Sequence, residues 1–408
     1  MLQGLLLNGI ILLVRRSIII PLLVLFFLVL VTVGVVYYGK GYRFINDNGK
    51  PNFLGTGMLV ATSLPDGAQV FIDGHLTTAT DNTINLSPGE YTVKIQKEGY
   101  FSWTKKIIIK KEVVTKVEAK LFPSAPKLES ITTGGVENPV MDPSQTKLAY
   151  TVASNSAVKK RGIYILDMST RPILTLQNSA TQIVDNSTNT FSNSLLSWSP
   201  DGIELLATIS AGFNNIYLLE ANRFNENPPD VSATMVAVNS SWEKQKMEKE
   251  KAQMETLSKK IRSTVAENFE ILTWSASDEP KILYKAKNSF ELAEVKKIIG
   301  GNTTPEERSI KKDAVYVYDI LEDKNYKIFD SLDTNVSLTW FPESSHLVYV
   351  HNQKVEIMEY DGGNKTVVYA GPFEGNSVFP WPDGNKIVIL TSLGNVNTPP
   401  NLYTVGLK

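Results

Sequence analysis

The chain has 408 residues, room for two or three domains, and its 41 basic and 42 acidic side chains leave a net charge of −1. No global field of either sign recruits nucleic acid or an acidic substrate, so nucleic acid is not an expected partner. There is no cysteine, which excludes disulfides, thiol nucleophiles, thiolate metal sites and lipid attachment through an N-terminal cysteine.

Residues 1–17 begin with an apolar run, 2–14, too short to span a membrane. It either lies along the cytoplasmic interface or extends the helix that follows. Residues 18–38 predict a transmembrane helix: Ile18–Val36 carries no charge, and about 20 apolar residues cross a hydrocarbon core of about 30 Å. Arg15 and Arg16 guard one end, while Tyr37, Tyr38 and Tyr42 suit the headgroup layer at the other. The run is long for a signal peptide, and Val-Gly-Val-Val-Tyr-Tyr lacks a small-x-small cleavage site, so an uncleaved signal-anchor is expected. Flanking positive charges nearly balance. The bulk of the distal chain and its Ser/Thr/Asn-rich loops favour a single-pass membrane protein with a cytoplasmic N-terminus and extracytoplasmic domains.

Residues 39–57 read as a juxtamembrane tether whose later half, with Asn46, Asp47, Asn48, Gly49 and Pro51, is loop. From residue 58 to 122 the apolar period becomes two. Met58–Ser63, Gln69–Ile72 and Thr83–Leu86 predict strands, as does the alternation of Tyr91, Val93 and Ile95. Ile107 and Ile109, then Val113, Val117, Ala119 and Leu121, continue it, giving a small β-sandwich. The turns are Pro65-Asp66-Gly67-Ala68, Asp73-Gly74, Pro88-Gly89 and Gly99-Tyr100, and Gly67, Gly74, Gly89 and Gly99 are expected at positive φ. In sequence this stretch resembles a PEGA domain, with Asp66 in place of the family's Glu. The resemblance implies a β-sandwich on the outer side of membrane-anchored or surface-layer proteins and brings no catalytic residues. Eight lysines between Lys94 and Lys120 make its second half basic, as solvated and edge-protecting faces or as a contact for anionic lipid or cell-wall polymer.

A stiff Pro-Ser-Ala-Pro linker, 123–126, precedes a degenerate repeat across 127–408. Its copies start near Asp142-Pro143, Trp198-Ser199-Pro200-Asp201-Gly202, Trp274-Ser275, Trp340-Phe341-Pro342 and Trp381-Pro382-Asp383-Gly384, each followed by one or two more apolar alternations, Ile173–Leu176 among them. This resembles the TolB-like β-propeller repeat. Five blades fit, or six if one blade has lost its motif, and Leu128–Thr133 is placed to complete the last blade. The tryptophans are expected between blades and the Pro-Asp-Gly runs as turns, rather than Asp201 or Asp383 as calcium or catalytic groups. The fold class is therefore mainly β: a transmembrane helix, a small sandwich, then a propeller with a helical insertion.

That insertion, 240–268, reads as one unbroken helix with a Ser240/Glu243 capping box. Trp242, Met247, Met254, Leu257 and Ile261 form an apolar stripe that either packs on the propeller or docks a partner. Ser289–Lys297 reads as a shorter helix. Only three histidines are present, and no His-Glu-x-x-His, Gly-x-Ser-x-Gly, Walker or Rossmann run occurs, so neither metal nor cofactor is expected. The reading is a non-enzymatic, membrane-anchored cell-envelope protein whose partners are the bilayer and an envelope protein or cell-wall glycan. The alternatives are a propeller-channel enzyme acting on glycan or peptide, and an envelope-complex subunit docking through 240–268.

Overall fold

The computed structural model describes residues 2–39, 42–47, 50–153, 158–169, 180–211, 213–275, 280–298 and 300–408. Two compact units emerge. The smaller takes in 1–95, 106–119 and 299–303; the larger takes in 96–105, 120–298 and 304–408.

In the smaller unit, α1 runs Leu2–Gly39, so residues 2–14 extend the membrane-length helix. Arg15 and Arg16 lie in its course, just before the apolar segment that begins at Ile19. Its segment Ile19–Gly39 has a mean hydropathy of 3.1 and none of it is buried. Among the described residues it is the one helix long and apolar enough to cross a membrane. The tether is not a loop: β1 (Tyr42–Asp47) and β2 (Lys50–Gly55) pair antiparallel, with Asp47 opposite Lys50. An Asn-Gly pair between two such runs is the strongest short hairpin signal.

The sandwich has two sheets. One orders β6 (Asn82–Leu86), β3 (Gly57–Leu64) and β9 (Val114–Lys120); the other orders β5 (His75–Ala79), β4 (Gln69–Ile72), β7 (Gly89–Gln96) and β8 (Trp103–Ile109). The period-two pattern works as expected: Leu59, Ala61, Val70, Val93, Ile95, Ile107, Ile109, Val117 and Ala119 are buried, and the residues between them mostly face out. Asp73 and Gly74 take positive φ in the β4–β5 turn, where the Asp73 carboxylate accepts the Thr92 N–H at 2.8 Å. Gly67 and Gly99 are also at positive φ, but Gly89 is not; it opens β7, and the Tyr91 ring lies over it. Ala68 is fully buried, and its N–H donates to Thr80 Oγ1 at 2.8 Å.

The larger unit is a succession of antiparallel meanders, five sheets of three or four strands among the described residues. A short strand, β10 (Leu128–Ser130), comes first. Sheet I is β11 (Glu137–Met141), β12 (Lys147–Val152), β13 (Gly162–Asp167) and β14 (Ala180–Asp185); sheet II is β15 (Ser194–Trp198), β16 (Glu204–Ala211) and β17 (Phe213–Glu220). The proposed strand Ile173–Leu176 lies outside the described residues. After the helices α2 (Met235–Glu255) and α3 (Lys259–Asn268) comes β18 (Phe269–Trp274), then β19 (Lys281–Ala286). A two-stranded ribbon follows, β20 (Phe290–Glu291) with β21 (Ser309–Ile310). β22 (Val315–Asp319) and β23 (Lys324–Phe329) then complete sheet III. Sheet IV is β24 (Ser337–Trp340), β25 (His346–His351), β26 (Lys354–Glu359) and β27 (Thr366–Ala370). Sheet V is β28 (Val378–Pro380), β29 (Lys386–Thr391) and β30 (Asn401–Gly406), and β10 adds to its outer edge with Leu128 opposite Val405.

Apolar clusters join sheet I to sheets II and V, sheet III to sheet IV, and sheet IV to sheet V. Successive meanders packed face to face, the last completed by the first strand, make a β-propeller architecture.

Two helical expectations are corrected. The insertion is broken at 256–258, where Leu257 turns inward and the Ser258 side chain caps α3 by accepting the Ile261 N–H. α2 begins at Met235, so Ser240 lies inside it and forms no capping box. Residues 289–297 form no helix. Phe290 pairs with Ile310 and packs near Phe269, Leu292 is buried, and Asp323 Oδ2 accepts the N–H groups of Val295 and Lys296 at 2.6 and 2.7 Å.

Candidate functional site

The repeat motif builds one kind of corner. In sheets I, II, IV and V, the residue before the proline accepts the N–H of the residue three places on. The pairs are Asp142 with Gln145, Ser199 with Gly202, Phe341 with Ser344, and Trp381 with Gly384, at 2.8–3.0 Å. The fourth residue takes positive φ in each: 58°, 70°, 62° and 65°. Glycine suits that position at 202 and 384, while Gln145 and Ser344 hold it without glycine.

The motif acids serve these corners. Asp142 accepts the N–H groups of Ser144, Thr146 and Lys147 at 2.6–3.1 Å. Asp201 accepts the Ser199 hydroxyl at 2.6 Å and the Ile203 N–H at 3.0 Å. The Ser199 hydrogen bond holds its carboxyl below the usual carboxylate range. Asp383 accepts the Asn385 N–H at 2.9 Å.

Neighbouring corners touch. A Cβ on Gly202 would stand 3.1 Å from Asp142 Oδ2, and one on Gly384 would stand 3.0 Å from the Phe341 ring. The tryptophans link the innermost strands: Trp198 Nε1 donates to Val140 O at 3.0 Å and Trp340 Nε1 to Thr273 O at 3.4 Å. Trp381 sits one place later in its repeat, aligned with Ser199 and Phe341. It is buried between sheets V and I, with Lys386 Nζ 3.8 Å from its ring centroid. Trp274 packs against the cluster under α3.

The four corners open on one cavity of about 1150 Å³, whose lining includes Pro143, Pro200, Pro342 and Pro382, with Ser275 just after β18. Its walls are apolar and aromatic, with Trp198, Trp274, Trp340, Phe341 and the strand Phe269–Trp274. One side is formed by α2 through Lys246, Lys249, Glu250, Gln253 and Met254. The first four recur at i, i+3, i+4, i+7, a single helix face. With Lys287 and Glu270, three ammonium groups and two carboxylates line the cavity, and no histidine is among the described lining residues. Among the described residues no group of three His, Cys, Asp or Glu side chains is disposed to hold a metal ion.

The proposed docking stripe divides. Leu257 and Ile261 are buried with Val265, Phe269 and Tyr284 in the core of sheet III, and Met254 packs against them. Met247 is 66 % exposed, and Trp242 Nε1 reaches Glu204 Oε2 at 3.5 Å. No residue of α2 is buried. The cavity-lining face of α2 was not singled out from sequence, although its i, i+3, i+4, i+7 spacing is there to be read.

A second polar centre lies in the larger unit at the end of β26. Lys105 Nζ bridges Glu359 Oε2 at 2.7 Å and Asp361 Oδ2 at 2.5 Å. Trp103 Nε1 donates to Glu359 Oε1, Asn364 Nδ2 to the same oxygen at 3.1 Å, and Thr304 Oγ1 to Asp361 Oδ2 at 2.7 Å. Burial pulls the Lys105 ammonium toward the neutral form, and the two carboxylates more than offset it, holding its pKa above the ordinary value. Every member has a partner, which marks this centre as a fastening.

At the membrane end, Tyr37 and Tyr42 meet edge to face with centroids 4.9 Å apart. Tyr38 is exposed at 68 %.

Residues 56–125 match the PEGA domain family. No curated protein matches the chain. Among solved structures, it is similar to a putative TolB from Agrobacterium tumefaciens at 14 % identity, covering 67 % of this chain and 81 % of that one, TM-score 0.22. It is similar to TolB from Acinetobacter baumannii at 15 % identity, covering 78 % and 60 %, TM-score 0.23. It is also similar to the Cps50 (Swd1) β-propeller domain of Myceliophteria thermophila at 11 % identity, covering 70 % and 100 %, TM-score 0.28. Scores this low carry no argument; the propeller architecture rests on the sheet order and packing above.

Proposed function

We propose that this is a non-enzymatic, membrane-anchored cell-envelope protein whose propeller binds a protein or glycan partner at the cavity onto which its corners open. The cavity itself carries the reading. Its floor is a set of corners fixed by local hydrogen bonds, its walls are tryptophan and phenylalanine, and its charged groups are three lysines with two glutamates. Aromatic faces with a few placed polar groups bind and orient a ligand. The lining carries two carboxylates, Glu250 on α2 and Glu270 on β18, against three ammonium groups, a set that supports binding of a polar ligand between aromatic walls. The apolar segment Ile19–Gly39 supports anchoring, and the PEGA match supports an envelope setting with both distal units outside the cytoplasm.

The test captures partners with the full chain from detergent-solubilised envelopes and from a glycan array, beside a Lys246→Gln/Lys249→Gln variant. Those side chains are exposed, so the fold should survive. Binding lost in the variant supports the cavity; undiminished binding by a correctly folded variant sinks it. Protease treatment of intact cells should remove the region beyond residue 58, and its full protection would reverse the proposed orientation. A second reading has one observation of its own. The α2 face bearing Val236, 83 % exposed, and Met247 is available to an envelope-complex partner. Binding that survives the lysine variant but fails on Met247→Glu would favour it.

A further inference from the structure

The turn between β8 and β9, residues 110–113, is fastened to the corner between β2 and β3. Met58 N–H donates to Val113 O, and Glu112 N–H to Thr56 O, both at 3.0 Å. Two glycines permit the approach. A Cβ on Gly57 would come within 2.4 Å of the Lys110 carbonyl oxygen, and one on Gly55 within 2.5 Å of Lys111 Cε. The Lys111 stem therefore crosses the bare backbone of Gly55, and its ammonium lies 4.8 Å from the Tyr42 ring centroid.

Tyr42 in turn stands edge-on to Tyr37, and its hydroxyl donates to Glu112 Oε1 at 2.7 Å. Tyr37 belongs to the last turn of α1. The 21 residues Ile19–Gly39 give a rod of about 32 Å at 1.5 Å per residue, the thickness of a bilayer core. Lys111 is thus two ring contacts from the level where the hydrocarbon ends.

We propose that Lys110 and Lys111, framed by Tyr37 and Tyr42, form a contact surface for anionic phospholipid headgroups in the leaflet where α1 ends. The inference is separate from partner binding in the propeller cavity, and it rests on α1 lying in a bilayer. Two ammonium groups stand in the turn against one carboxylate, Glu112, which accepts the Tyr42 hydroxyl, so the turn keeps a net positive charge. Tyrosines hold the headgroup level, and a lysine laid along an apolar stem delivers its charge there.

The test uses the full chain in phosphatidylcholine vesicles with and without phosphatidylglycerol. Lipids retained through gentle detergent extraction are counted by mass spectrometry. Wild type should retain phosphatidylglycerol over phosphatidylcholine, and Lys111→Gln should lower that preference about fivefold and Lys110→Gln/Lys111→Gln more than tenfold. Lys94→Gln should leave it unchanged, since Lys94 lies on β7 toward the end away from this turn. An arginine pair at 110 and 111 should retain the preference. Equal retention of both lipids by wild type overturns the proposal, as does undiminished retention by the glutamine pair, or equal loss in the arginine pair. Competition by soluble glycerol phosphate at matched concentration also overturns it. Flotation of wild type with the vesicles is scored separately, and its failure removes the anchor on which the proposal stands.

Discussion

Lys105 Nζ stands 2.5 Å from Asp361 Oδ2, and the Asp361 side chain has no solvent-exposed surface. With Glu359 on the other side, one ammonium is shared between two shielded carboxylates. Lys105→Met should therefore cost roughly 3–5 kcal/mol, because both carboxylates lose their counter-charge in a dry setting. Urea unfolding of the full chain in detergent measures it. The pKa of Lys105 is raised in the folded state by the carboxylates against the opposing pull of burial. The stabilisation is therefore complete below the unfolded lysine value of about 10.4 and is lost as pH climbs past it. The gap between wild type and Lys105→Met should hold through neutral pH and narrow in alkali.

Gly162 opens β13 at φ +140°, and a Cβ there would meet Val184 O at 2.1 Å. The obstacle is backbone of β14, which cannot swing aside as a flexible side chain would. Gly162→Ala should lower stability by about 2 kcal/mol or more. A thermal melt would contradict the account if the two proteins unfolded together.

The insertion should respond unevenly. Ile261→Ala empties a fully packed site beneath α3 and should cost about 2–5 kcal/mol. Met247→Ala touches a side chain 66 % exposed and should stay within about 0.5 kcal/mol. Equal effects on the urea midpoint would mean that α2 is packed as α3 is.

Thr404 lies in the middle of β30, facing Glu129 on β10 and Val388 on β29. Thr404→Pro removes a ladder donor there and should cost about 3 kcal/mol or more. Exchange of the Glu129 and Ile131 amides, which face β30, should rise with it, and unchanged protection would refute the pairing.

What could be read from sequence was local. Pro200-Asp201-Gly202 and Asp73-Gly74 declare their turns because the chemistry of a corner is held within four residues. The sandwich strands were readable because Val93, Ile95, Ile107 and Ile109 alternate with polar neighbours. The break between α2 and α3 was not, since it follows from Leu257 entering the core of sheet III, a demand set by distant Tyr284 and Phe269. Residues 289–297 misled for a related reason. Their helical composition yields to pairing with Ile310 and to the Asp323 carboxylate, both supplied from elsewhere in the chain. The β1–β2 hairpin was legible in Asn48-Gly49 and was passed over for the general polarity around it. Trp381 stands one residue later in its repeat than Trp198 and Trp340, directly before the proline, and it packs between sheets V and I. The cavity itself is not legible in the sequence because it exists only where four separate corners, one strand and one helix face converge.

The pairing of Leu128 with Val405 joins segments about 275 positions apart, as the Thr404 hydroxyl donating to Glu129 O also shows. Synthesis delivers β10 long before β30 arrives. Through that interval one strand waits without its neighbour, so a stalled or clipped chain would present raw edges to proteases and to other chains. Covering that edge thus doubles as a checkpoint on completeness: only a molecule whose final strand has been made can do it.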